Sequence, residues 1–291
     1  MAVTSSASSA PKSAAPWQKA LRRASRDFRT MLGFVIVVVV IILALFAPLL
    51  APYGPETPDF ANVLQSPSSA HLFGTDELGR DVFSRIIWGT RVSLMVGVIS
   101  VGAALMLGTV IGVIAGYYGH SWDAVLMRLM DIIFAFPSIL LALAITAVLG
   151  PSLINAMLAI AVVYVPTFAR LARGQVLTVR ELTYVEASRA LGVGDGNIMA
   201  RHIVPNILAP LIIQSSLLFA SAIITESYLS FLGLGIQPPT PSWGNMLKNA
   251  IGFLELAPWM AWFPGLAIFF VVIGFNLLGD GLRDLFDPRS R

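Results

Sequence analysis

The chain has 291 residues, of which 56% are hydrophobic and 12% are Asp, Glu, Lys or Arg, about half the share of charge that a water-facing globular surface carries. With a mean hydropathy of +0.79, a soluble globule and a disordered chain are both excluded, and the lipid bilayer is the solvent implied. Cysteine is absent, which removes disulfides, thiolate metal sites and cysteine nucleophiles, and a net charge of +3 is too small to imply a nucleic-acid partner.

Residues 1–30 form a tail rich in Ser, Ala and Pro and then basic, with Lys12, Lys19, Arg22, Arg23, Arg26 and Arg29. The apolar run from Met31 to Ala51 predicts a first membrane helix. A cleaved signal peptide fits less well, because its apolar region is about 7 to 15 residues and Pro52 stands where a small-residue cleavage site is wanted. Residues 52–90 follow as an outer segment. There His71, Asp76, Glu77 and Asp81 invite a metal-site reading, but Arg80, Arg85 and Arg91 offer each acid a cation. The spacing fits an amphipathic surface helix from Gly79 to Thr90, with no metal expected.

Further apolar runs at 92–118, 125–149, 153–169, 207–236 and 258–279 bring the count to six spans in an all-α membrane protein. Pro137, Pro166, Pro210 and Pro264 are expected to kink these spans without ending them. Trp243, Trp259 and Trp262 read as an interfacial belt at the outer surface. Of the 19 Lys and Arg residues, fifteen fall on the side that carries both termini and the segment from Arg170 to Asn206. Arg80, Arg85, Arg91 and Lys248 fall on the other. The positive-inside bias therefore predicts that both termini and the 170–206 loop are cytoplasmic.

That loop is the most informative stretch. Thr183 to Gly192 reads as a short helix stopped by Gly192, followed by a turn over 193–197 and a second short helix from Ile198 to Pro205. Glu186 and Arg189 are three apart and can meet on one face. So short a helix needs docking, either at the headgroups as an amphipathic connector or into a partner's groove, and the pattern alone leaves both open.

Glu186-Ala187-Ser188, with Gly192 six residues after the Glu and Pro205 thirteen after the Gly, resembles the EAA loop of the integral membrane subunits of bacterial ABC importers. Two positions depart from that pattern: Ser188 stands for Ala, and the loop ends His202-Ile203-Val204-Pro205. Phe73 to Arg85, Glu226 to Gly235 running into Pro238-Pro239 and Trp243-Gly244, and Gly279 to Pro288 are similar to the C-type permease subunit of dipeptide and oligopeptide importers. The resemblance implies a type I importer (MetI-like) permease fold, with a five-helix transport domain at 91–281 and a cytoplasmic tail at 282–291. It also implies that Glu186, Ala187, Ser188, Arg189, Gly192 and Pro205 couple the chain to separate ATPase subunits. The implied partners are a B-type sister permease, one or two ATPase subunits and an extracytoplasmic solute-binding protein. The solute would be a dipeptide or oligopeptide, with glutathione or nickel chelates as alternatives, and the location the bacterial inner membrane.

Two acids lie within the spans. Asp131 is expected to pair with Arg128, one turn away. Glu226 has no cation within a turn, so Glu226, Ser227 and Tyr228 are candidates for a gate or solute path, with capping of the following turn as the alternative. An intramembrane enzyme is disfavoured, because none of His71, His120 and His202 sits in an H-E-x-x-H pattern and no Gly-x-Ser-x-Gly turn occurs. A self-sufficient secondary transporter would need inverted repeats and midplane acids. Lys12, Lys19 and Lys248 all lack the Gly-Lys-Ser/Thr context of a phosphate loop, so no cofactor is expected on this chain, and ATP and Mg would sit on the partner ATPases.

Overall fold

The computed structural model describes residues 27–286. Lys12, Lys19, Arg22, Arg23, Arg26, Arg289 and Arg291, which contribute to the charge asymmetry, lie outside them. The described part is helical: α1 (Phe28–Leu45), α2 (Ala47–Leu50), α3 (Val82–Tyr118), α4 (His120–Phe134), α5 (Ser138–Leu149), α6 (Leu153–Val179), α7 (Thr183–Ala190), α8 (Asp195–Ile198), α9 (Val204–Phe231), α10 (Trp243–Ala250) and α11 (Trp259–Phe286). Five helices are long and apolar enough to cross a bilayer, and the bent pair α4 and α5 brings the number to six where it is counted as one broken span.

Asp27 starts α1, its carboxylate accepting from the Thr30 amide at 2.9 Å and the Thr30 hydroxyl at 2.6 Å, which satisfies an otherwise orphan donor at the helix start. The central pair is α3 against α6. Gly108, Gly112 and Gly116 of α3, four residues apart, present a backbone stripe to α6, where a Cβ at Gly108 would come within 2.5 Å of Phe168 and one at Gly116 within 2.9 Å of Val176. Small residues at this spacing let membrane helices approach closely, and packing is the main attraction available in lipid. The signal was readable in the sequence as Gly-x3-Gly-x3-Gly. Glycines also join α1 to α11, with Gly33 against Leu277 and Leu278 and Gly281 against Thr30.

Four expectations need correction. The surface helix at 79–90 and the span at 92–118 are one 37-residue helix, α3, roughly 55 Å long at 1.5 Å per residue, because no breaker separates Thr90 from Val92. The fourth span does not end at Ala169. It continues to Val179, so Arg170 and Arg173 belong to α6 rather than to a loop. The second short helix, expected at 198–205, does not stand alone, since α8, a π-helical turn at Met199–Ile203 and α9 run on as one continuous rod. Pro137 ends a helix, where α4 and α5 meet at 87°. Proline cannot donate to the ladder and restricts the residue before it, and here it also divides two halves suited to different solvents. The half before it carries His120, Asp123, Arg128 and Asp131, whereas α5 has no charged residue. Pro166, Pro210 and Pro264 do lie inside unbroken helices.

The outer segment packs as a cap with a buried polar centre rather than as a surface helix. Asp76 accepts from the amides of Leu78 and Arg80, each at 2.9 Å, and from the Arg80 guanidinium at 2.7 Å, with Arg85 at 3.5 Å. Glu77 receives Arg80 and Asn249, each at 2.9 Å. Asp81 caps α3 through Ser84 and faces His71 at 3.0 Å. Of the three arginines expected to pair with these acids, Arg91 instead lies over the Trp88 ring at 5.1 Å. Two of the expected belt tryptophans stitch this cap to the helices: Trp243, buried, donates to the Ile86 carbonyl at 3.1 Å, and Trp259 donates to the Thr75 carbonyl at 3.0 Å. Trp262 is exposed, as a belt residue would be.

Candidate functional site

The 180–205 loop projects an exposed helix on one apolar anchor. Val185 of α7 is fully buried in the core, while Glu186, Ala187 and Arg189 are exposed and Ser188 is half-buried. Leu191, 83% exposed, stands at the tip. Gly192 has φ +78°, the left-handed conformation that glycine adopts without a Cβ clash. Its amide donates to the Arg189 carbonyl at 3.0 Å, and the Val193 amide donates to the Ser188 carbonyl at 3.1 Å. This paired arrangement is the Schellman ending, which satisfies carbonyls that the helix leaves open. The Ser188 hydroxyl donates back to the Tyr184 carbonyl at 2.8 Å. Pro205 is exposed in the continuous rod directly after the π-helical turn Met199–Ile203, an irregular turn at which its missing amide hydrogen interrupts the ladder.

The loop is tied to the C-terminal end of α3. Arg189 lies over the Tyr117 ring at 5.3 Å rather than pairing with Glu186, and the Tyr117 hydroxyl donates to Asp195 at 2.7 Å. The last helical turn of α3 thus touches both sides of the turn at Gly192. Arg180 donates to the Gly116 carbonyl at 2.8 Å, and Arg173 forms a two-pronged contact with Asp123 at 2.5 and 2.6 Å. Asp131 pairs with Arg170 at 2.8 Å and not with Arg128, because α6 runs beside it at the same depth. The sequence reading did not single out Tyr117. An aromatic residue at a helix end facing a distant Arg and Asp leaves no local pattern.

The second candidate cluster is separate from the first. Glu226 is 0% exposed in the C-terminal half of α9, with the Ser230 hydroxyl donating to its Oε1 at 2.6 Å. Its Oε2 and the neighbouring Ser227 hydroxyl are buried without a hydrogen-bond partner. Gly244 of α10 packs directly on the Ser227 backbone and Gly235 on Ser230, so the turn after α9 folds back over the acid. Tyr228, 51% exposed, points out of this cluster.

An apolar helical bundle with an exposed glycine-ended loop on one end and a packed cap on the other describes a membrane-spanning chain. Comparison with known families decides which. The pattern of the family described as "Binding-protein-dependent transport system inner membrane component" matches residues 108–291. The chain belongs to that family. It is a permease subunit of an ABC importer. A second family, the "N-terminal TM domain of oligopeptide transport permease C", matches residues 15–67 of this permease.

Among relatives, the dipeptide transport system permease protein DppC of Alkalihalophilus pseudofirmus is 48% identical over 276 residues, covering 95% of the permease and 91% of the relative. The glutathione transport system permease protein GsiD of Pectobacterium atrosepticum is 46% identical over 277 residues, with 95% and 92% covered. GsiD of Escherichia coli O157:H7 is 45% identical over 277 residues, with 95% and 91% covered.

Proposed function

We propose that the permease forms half of a translocation path for dipeptides or oligopeptides. In this reading it pairs with a B-type sister permease, receives solute from an extracytoplasmic binding protein and takes its energy from one or two ATPase subunits that hold ATP and Mg. Both termini face the cytoplasm, and the Thr183–Pro205 loop docks on the ATPase. The names of the relatives support the solute class. The observation that carries the docking is α7 itself: one buried residue, Val185, holds it, and Glu186, Ala187 and Leu191 are left uncovered.

Closure of two ATPases would draw the docked helices together and switch the path between outward and inward access. Glu186 supplies a charge-assisted contact, Ala187 and Ser188 permit close approach, and Arg189 and Gly192 hold the loop's shape. Glu226, Ser227 and Tyr228 belong to the outer gate. Reconstitution with the products of adjacent genes should give ATP-dependent uptake of labelled dipeptides. Absence of uptake with an assembled, ATP-hydrolysing complex would refute the peptide assignment. Glutathione, itself a tripeptide, is the second reading that the relatives favour, and competition between glutathione and dialanine in the same assay separates the two.

A further inference from the structure

If α4 and α5 together form one broken span, residues 135–137 at the bend between them are non-helical backbone within the membrane. Such backbone is tolerated only where protein buries it or where it lines a water-filled cavity, since hydrocarbon offers no hydrogen-bond partner. Here it lines a groove of about 630 Å³, walled by residues 133–139 on one side and by α6 and α9 on the other. The polar side chains of this groove are hydroxyls alone, from Ser138, Tyr164, Thr167, Ser221 and Thr225, and no lining residue is charged. Tyr164 and Thr225 meet at 3.2 Å within the second wall, joining α6 to α9. At one edge the Arg170 guanidinium, paired with Asp131, lies 4.1 Å from the centre of the Phe134 ring, which forms part of the wall.

The volume lies within the roughly 300–1,000 Å³ of small-molecule sites. The Ser221 and Thr225 hydroxyls donate to the Leu217 and Ser221 carbonyls at 3.4 and 2.9 Å, which leaves their oxygens to accept from a solute N–H, while the Thr167 hydroxyl can donate to a solute C=O, so the three together match a main-chain amide with its one N–H and one C=O. With no charge in the groove, nothing there selects for or rejects a charged side chain. We infer that this groove is the permease's own wall of the solute site and that it holds a short peptide by its main-chain amides, through Thr167, Ser221 and Thr225. The inference rests on the peptide reading above. It makes the membrane path tolerant of side chains and dependent on backbone.

Single cysteines at Thr167 and Ser221 in this cysteine-free chain, within the assembled transporter in proteoliposomes, test it. Both should react with a charged, water-soluble methanethiosulfonate reagent, and saturating dialanine with the binding protein should slow the reaction at least about threefold. The paired Ser221→Ala and Thr225→Val variant should lower dialanine uptake by about fivefold or more, as loss of hydrogen bonds to the solute requires. Silence of both cysteines, with and without trapped nucleotide, would mean that the sister subunit fills the groove and would overturn the inference. Reaction that dialanine does not slow, in a complex that still carries dialanine, would overturn it as well. A complex that carries no peptide at all would instead remove the peptide reading, and this site assignment with it.

Discussion

Gly192 and Glu226 are the residues whose chemistry most constrains the account. At φ +78° a β-branched side chain is strained, while the space around Gly192 is open, so Gly192→Val should disturb the loop's ending without disturbing the bundle. The expected result is normal membrane insertion with ATPase co-purification reduced about tenfold, read by pull-down of the assembled complex. Glu226 is a different case, enclosed by Ser230, Ser227 and the returning turn. Glu226→Gln preserves shape and the acceptor for Ser230, so assembly should be unchanged while the ratio of ATP hydrolysed to solute imported rises. An unchanged ratio would make the residue a packing group only. The positive φ at Gly192 was legible in the sequence, because glycine at a helix end has one common use. The partner of Asp131 was not, because Arg170 is distant in the chain and only the packing of α4 on α6 brings the two together.

Among the elements, α3 joins the two ends of the molecule. Its first turn is capped by Asp81 inside the buried outer cap, and its last carries Tyr117 against the loop. Tyr117→Phe removes the hydrogen bond to Asp195 and keeps the ring under Arg189, at a cost of about 1 kcal/mol. The folded complex should survive, and transport per ATP hydrolysed should fall. Gly112→Val places a branched side chain against the Ala169 carbonyl and Ala172. Overpacking of this kind costs about 1–3 kcal/mol or more, and the variant should lose several degrees of melting temperature in detergent. Long apolar runs made the existence of these helices readable. Their ends were less so, since α3 and α6 extend past their apolar windows into residues whose charges are met elsewhere in the chain, Arg85 of α3 by the Pro55 carbonyl and Arg173 of α6 by Asp123 of α4.

At the scale of the whole molecule, the permease presents a packed cap on one end and a projecting loop on the other. Charge asymmetry predicts a cytoplasmic loop, so a cysteine at Ser68 should react with impermeant thiol reagents in intact cells and one at Ser188 should not. The helical membrane class was readable from the length of the apolar runs, and five of the six expected spans are single long helices, but the burial of Asp76, Arg80 and Arg85 was not readable. Alternating charges near an apolar segment look alike whether they face water or one another. The claim on which the rest depends is that α7 is the contact with the ATPase. A cysteine placed at Ala187, exposed beside the buried anchor Val185, measures that contact by cross-linking in the assembled transporter with a short bifunctional thiol reagent. A cross-linked product containing this permease and the ATPase subunit, formed in a yield that changes when ATP is trapped, is the predicted result. Free reaction of that cysteine with a bulky soluble reagent, no cross-link to the ATPase and undiminished transport would contradict it.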